Sequence, residues 1–555
     1  MDSIACYAVL FMYFNRDFRI LWCKNPSSLC TVFECVFSSR RLAKYCFTFY
    51  CFIGKIRVTE HLFFLYRRAI MEKNLKVWFT TPERKIRPRS HLTWGKAESY
   101  HIYVAKNATE GCQVSFMAPE ERKGFSLEVV GDAEKAGIEF ELLREQYVSC
   151  AGALWPDPTV PDDGHFDLEE KCNVTYLINV KTTEQSKPGT YTFKVVLKEK
   201  GKIYGKYTLK VTVWNFAINP TRHMATGFGI EKRFLFLRHP SDDQEALYKK
   251  YYDFMLEKYR ICAFDLPYDI LDPRVDTYLD DPRVTTFLIP YDVEDETIIK
   301  YRDKLLSKKE WSNKGFFYVV DEPCNMEAYK RIEEMDARLQ KLWPDYPAVF
   351  PFFKDPSDGG GVRAVDLLEK FSKVWCPKIN LYKEKWFCDY MKNRDADGDR
   401  VWWYVCWEPG LPYSNVFVDM DGFHHRVLMW QQYLYEVRGL LYWTTTWWRD
   451  LDPWDGASTV QDLSYYVFGD GSLFYPGNRV GIDGPVGSLR FELLRSAIED
   501  FYMLQLAEEL FGRKYVERMI KKVSPNVREY CDDHDELDRT RIAIGNKISK
   551  YFSEV

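Results

Sequence analysis

The sequence predicts a multidomain α/β chain: an antiparallel β-sandwich, then a (β/α)8 TIM-like barrel, then a helical C-terminal extension. Three observations predict it. At 555 residues the chain is too long for one small core, so roughly two to four domains are expected. Between residues 75 and 214 short runs alternate apolar and polar residues with period two, the pattern of half-buried strands. From residue 227 onward apolar runs alternate with stretches of helical period, which argues for parallel strands joined by crossover helices.

The elements follow in order. Residues 1–70 show neither period clearly. Residues 4–14 are apolar but short for a membrane span, and they follow Asp2 rather than a basic segment. No convincing export signal is present. The reading is that Met71 lies near the biological start and that the upstream segment is spurious translation or a degraded export signal; peptides from residues 1–60 in a mass spectrum of the native protein would contradict it. The alternative is an anchor of unfamiliar composition. Residues 71–218 form the predicted sandwich. There Tyr207, Leu209, Val211 and Val213 share one face, turn chemistry lies at Trp155-Pro-Asp-Pro and Pro161-Asp-Asp-Gly, and 215–221 is the linker. Residues 219–455 form the predicted barrel, with strands at 227–230, 261–266, 284–290, 315–320, 348–353, 374–377, 401–406 and 439–443. Helical patterns fill the gaps, such as 244–259, where Leu247, Tyr251, Met255 and Tyr259 recur every fourth residue. Eight strands in roughly 220 residues suit a (β/α)8 barrel. A doubly wound open sheet is the alternative, but no G-x-G-x-x-G follows the first strand. Residues 456–555 are a long loop followed by helical segments.

Composition excludes several classes. Hydrophobic residues make up 46% and charged residues 28%, as in soluble globular proteins. A net charge of −4 gives no global field for nucleic acid or anionic membrane, so neither nucleic-acid binding nor stable membrane insertion is expected. Six of the fifteen cysteines crowd into the first 70 residues, none in C-x-x-C spacing, and no H-E-x-x-H occurs. No metal or cofactor is assigned. Eight of the seventeen tryptophans lie between Trp402 and Trp454. Flat apolar faces suit the C–H faces of sugars, and they equally suit a tryptophan-rich core.

The chemistry concentrates at Gly315-Phe316-Phe317-Tyr318-Val319-Val320-Asp321-Glu322-Pro323. An apolar run ends in two adjacent carboxylates. At the C-terminal tip of a barrel strand such a pair faces the open mouth, where barrel glycosidases place their acids. Neighbours on an ideal strand point to opposite faces, so both reach one pocket only if the strand tip twists. The competing reading is that one carboxylate caps the helix starting near Met326.

Several motifs in one order resemble glycoside hydrolase family 123. They include Phe316-Tyr318-Asp321-Glu322-Pro323, Trp403-Tyr404-Val405-Cys406 with Pro409 and Asn415, and Arg426-x-x-x-Trp430. Gly439-Leu-Leu-Tyr-Trp443, Gly469-Asp-Gly471, Tyr475-Pro-Gly477, Gly484-Pro485 and the helix from Leu489-Arg490 to Ile498-Glu499-Asp500 complete the series. The upstream module, with Gln113-Val and Trp155-Pro-Asp-Pro, is similar to that family's β-sandwich. The resemblance implies release of terminal β-linked N-acetylgalactosamine from a glycan or glycolipid, with retention through the substrate's own acetamide. It implies that Glu322 is the general acid and base and that Asp321 orients the acetamido N–H. Export is implied as well. Tyr404 and Trp443 are the candidates for the acetamide wall and donor, with Trp403 and Trp447 after them; core packing is the competing account of each tryptophan, and the better one for Trp403, which alternates with Tyr404. Tyr291 and Asp292 could reach sugar hydroxyls, or form an ordinary strand-to-helix turn. A non-catalytic carbohydrate-binding relative and a glycosidase of other sugar specificity remain the alternatives.

Overall fold

The computed structural model describes residues 9–14, 17–22, 75–90, 98–219, 224–449, 451–457 and 467–554. The chain divides into two compact units, Met1–Glu72 and Lys73–Val555. In the first, strands Val9–Phe14 and Asp17–Trp22 pair antiparallel, with Phe14 opposite Asp17. Structure is therefore present in a segment where no period was legible. The rest of residues 1–70, Met71 and the end of the 215–221 linker lie outside the described residues. Among the described residues no helix is long and apolar enough to cross a membrane.

The second unit begins with two β-sheets. Lys76–Thr80, Thr109–Met117, Asn173–Thr182, Ile138–Cys150 and Ala153–Pro161 lie side by side in one. His165–Leu168, Arg122–Val130, Gly189–Glu199, Lys202–Ala217 and Ser99–Lys106 make the other. Leu209, Val211 and Val213 are buried and Lys210 is exposed, as the alternation requires. Aromatic pairs join the sheets: Phe116 lies 5.1 Å from Phe166 and Phe140 lies 4.9 Å from Phe193. The first sheet is completed from far along the chain, because Pro485–Ser488 pairs with Ala153–Pro161. The predicted borders at 218 and 455 are thus crossed by main-chain hydrogen bonds.

Parallel strands follow. Ala225–Phe228, Gly439–Tyr442, Arg400–Tyr404, Val374–Pro377 and Val349–Phe352 form one five-stranded sheet in that order. Phe287–Leu288 and Gly315–Phe316 form a parallel pair. Isolated bridges Phe228 to Ala263 and Phe317 to Ala348, with a 2.8 Å hydrogen bond from Leu288 N to Phe264 O, connect the remaining edges. Regular strands are shorter than expected: 261–266 contributes only a bridge, and 315–320 is regular only over Gly315–Phe316. All eight predicted segments nonetheless take part. One residue from each of seven predicted segments (Phe264, Leu288, Phe316, Val349, Val374, Trp402 and Leu441), with Ala225, which begins the first strand two residues before its predicted start, packs into a single inner cluster. Tyr318, Tyr404 and Trp443 belong to that cluster too, one step further toward the strand C-termini.

Helices cover the outside. In Gln244–Tyr259 the four predicted residues Leu247, Tyr251, Met255 and Tyr259 are all buried, and Asp243 caps the helix by accepting from Ala246 N. The 23-residue helix Leu489–Phe511 carries the junction between the two β-sheets and the parallel strands. Its polar residues are buried because they are paired. Arg490 meets Asp157 at 2.7 Å, and Asp500 holds both Arg426 at 2.8 Å and Arg541 at 2.9 Å.

Candidate active site

Asp321 and Glu322 sit just past the C-terminal end of the Gly315–Phe316 strand, and neither caps the next helix. That task falls to Asn325, whose side chain accepts from Ala328 N at 2.9 Å. Both carboxylates are left for other work. Strand alternation breaks at this point, since Glu322 adopts φ +42°, a left-handed conformation unusual for a residue with a side chain. Such backbone strain clusters at functional sites, where surrounding contacts hold it in place.

Two tyrosines of the inner face supply those contacts. Tyr318 Oη donates to Asp321 Oδ1 at 2.7 Å, and Tyr404 Oη donates to Glu322 Oε1. Both rings belong to the inner cluster, so both carboxylates are tethered at the same end of the strands. Asp321 is exposed and Glu322 half-buried. Burial pushes the Glu322 carboxyl above its ordinary range; the Tyr404 hydrogen bond and the Lys378 charge oppose this, while Asp321 and Glu408 add to it. Burial also raises Tyr404, which stays a hydroxyl donor.

Lys378 was not legible as a site residue. It follows the Val374–Pro377 strand, is fully buried, and pairs with Glu408 at 3.2 Å. Its Nζ lies 4.2 Å from the Phe353 ring and 5.5 Å from Trp407, a cation held between aromatic faces. Asp470, from the Gly469-Asp-Gly471 motif, is the second such residue. Tyr442 Oη and Trp443 Nε1 donate to its two oxygens at 3.0 and 3.1 Å. Burial pushes Asp470 up to about 6 despite these donors. Gly471, at φ +68°, permits the turn: a Cβ there would meet Trp443 Cζ2 at 2.5 Å.

The other predicted residues divide. Tyr404 is present, but its hydroxyl is engaged by Glu322 rather than free for an acetamide oxygen. Trp443 is half-buried on the inner face, with Trp447 at 4.9 Å. Trp403 is not brought to the site. It alternates with Tyr404, is fully buried, and packs edge-on to Tyr382 at 5.5 Å in the outer core. Tyr291 also turns outward, against Phe317 at 6.5 Å and beneath Arg338 at 4.7 Å; Asp292 is exposed beside it. No group of three or more His, Cys, Asp or Glu among the described residues is placed to hold a metal ion.

The description "Glycoside hydrolase 123, catalytic domain" matches residues 290–507, a span that includes both carboxylates, both tyrosines, Lys378, Trp443 and Asp470. This segment is a glycoside hydrolase family 123 catalytic domain. Membership supports glycosidase activity. A solved family 123 glycoside hydrolase from Clostridium perfringens, which hydrolyses glycolipid glycans, shares the fold at 14% identity and TM-score 0.62, over 87% of this chain and 98% of that one. A family 39 glycoside hydrolase from Bacteroides cellulosilyticus is similar at 11% identity and TM-score 0.30, over 72% of this chain and 81% of that one. No curated protein matches the sequence.

Within the family 123 domain the tethers make a direct prediction. Tyr404→Phe removes a hydrogen bond that holds the Glu322 pKa down. If activity needs the Glu322 proton, the alkaline limb of kcat/KM is expected to move to higher pH in this variant, which a pH–rate profile of the two proteins will show; an unmoved limb contradicts the tether's role.

Proposed function

We propose that the family 123 domain releases terminal β-linked N-acetylgalactosamine from glycans or glycolipids with retention, through the substrate's acetamide. The observation that carries this reading is the pair of adjacent carboxylates tethered by Tyr318 and Tyr404 at one end of the inner face. We read the ring of eight parallel segments as a closed (β/α)8-type barrel whose mouth is that end.

Glu322 begins protonated, favoured by its burial and by neighbouring negative charge. It gives its proton to the glycosidic oxygen as the C1–O bond breaks. The acetamido oxygen attacks C1 from the opposite face and forms an oxazolinium ion, so no protein nucleophile is required; this departs from the two-carboxylate scheme. Asp321 accepts a hydrogen bond from the acetamido N–H and offsets the positive charge that develops there. The Glu322 carboxylate then takes a proton from water as it attacks C1, and two inversions give net retention. The half-exposed Trp443 and Trp447 offer an apolar wall near Asp470. The Clostridium perfringens relative's action on glycolipid glycans is consistent with this substrate class.

The test is turnover of an aryl β-N-acetylgalactosaminide and of an alkyl glycoside of the same sugar. Hydrolysis of both, with N-acetylglucosaminides slower, is expected. Binding of the sugar with no turnover of any hexosaminide would favour a lectin-like role instead.

A further inference from the structure

A hollow lies at the end of the parallel strands opposite the acid pair. It has a volume of about 610 Å³ and is bordered by Ala225, Thr285, Lys314, Arg400 and Arg438, which begin or just precede strands. The acid pair follows a strand end, so the two sites stand at opposite ends of the ring. The hollow reaches Trp402, the inner-face residue two positions before Tyr404, and Leu279, Pro282 and Val284 give it a mostly apolar wall.

The charged groups around it are engaged to different degrees. Arg438 makes two hydrogen bonds to Asp395, at 2.9 and 3.1 Å. Lys314 Nζ donates to Leu279 O and Asp281 O, both at 2.8 Å. Asp280 accepts from Lys308 at 2.9 Å and from the Trp311 indole at 2.8 Å, and Asp399 accepts from the Trp375 indole at 2.9 Å. Arg400, like Lys314, donates only to backbone carbonyls, Asn313 O at 2.9 Å and Gly315 O at 3.4 Å, but a guanidinium has five N–H donors and these two bonds leave the others over. No carboxylate among the described residues pairs with it, and burial alone pushes its guanidinium down to about 10. The half-buried guanidinium, 6.0 Å from the Trp402 ring, has N–H donors left for a flat anion that can accept two of them. The surrounding acids Asp280, Glu310 and Asp399 disfavour a dianion such as phosphate, and the apolar wall suits a hydrocarbon body.

We infer that this hollow is a binding site for a small monocarboxylate with an apolar tail, its carboxylate on Arg400 and its tail toward Trp402. This goes beyond the hydrolytic reading and does not depend on it. The test is calorimetric titration of the whole chain with hexanoate, 1-hexanol and inorganic phosphate. Hexanoate is expected to bind one saturable site at least tenfold more tightly than hexanol or phosphate. Arg400→Met should weaken hexanoate at least tenfold and leave hexanol unchanged. Absence of saturable hexanoate binding, equal affinity for hexanol, tighter binding of phosphate, or competition with substrate at the catalytic end each overturns the assignment. The comparison of ligands on the unaltered protein decides the matter if Arg400→Met fails to fold.

Discussion

Glu322→Gln is expected to lower kcat/KM by about 10²–10⁴-fold on alkyl β-N-acetylgalactosaminides, and by much less on an aryl glycoside with an acidic phenol. The reason lies in what each leaving group needs. An alkoxide cannot depart without a proton, and Gln has none to give. A nitrophenolate leaves unaided, so its first step is spared and only the later activation of water suffers. The amide keeps the side chain's shape and can still accept the Tyr404 hydrogen bond, so the fold should persist. The pH profile gives a second check. As the proposed acid, Glu322 has to start protonated, and its pKa is raised, so activity on the alkyl glycoside should be present below that raised value and fall as pH climbs through it. In Glu322→Gln this alkaline limb should vanish. Equal losses on alkyl and aryl substrates would remove Glu322 from the acid's role.

Arg490→Met is expected to cost about 3–5 kcal/mol of folding stability, the usual penalty for stranding one partner of a buried ion pair. Against the total of about 5–15 kcal/mol typical of a folded domain, that is a large fraction. Arg490 and Asp157 are fully buried. The same guanidinium donates to Val416 O at 3.0 Å, Gly469 O at 2.6 Å and Ser472 O. One side chain thus ties the sheets to the loop that delivers Asp470 to Trp443. The denaturant midpoint should fall well below that of the unaltered protein, and adding Asp157→Leu should restore much of the loss, because the buried carboxylate is then gone too. A change below about 1 kcal/mol would mean that the pair is not the anchor described.

Much of this architecture was legible because it depends on local period. The four-residue spacing of Leu247, Tyr251, Met255 and Tyr259 names a buried helix face, and the alternation from Tyr207 to Val213 names a sheet face. The acid pair was legible because an apolar run ends there abruptly. Phase was harder to read. Strands covered on both sides read as continuous apolar runs; alternation with Tyr404 already favoured core packing for Trp403, but it could not say which of the two faces is the inner one. Glu322's left-handed backbone also has no signature in residue type. Lys378 is one of 77 basic residues, and its partner Glu408 lies in the loop after a different strand, which no spacing rule connects. Tyr291 looked plausible only because it follows a strand; Arg338, on a helix nearly fifty positions on, draws it outward.

The acetamide's role can be tested by varying its nucleophilicity alone. Aryl β-glycosides of galactosamine carrying N-acetyl, N-fluoroacetyl, N-difluoroacetyl and N-trifluoroacetyl groups differ little in size, while each fluorine weakens the carbonyl oxygen as a nucleophile. If that oxygen attacks C1 beside Asp321, log kcat should fall steadily across the series. A flat series would show that the amide does not participate and would contradict the account of these two carboxylates.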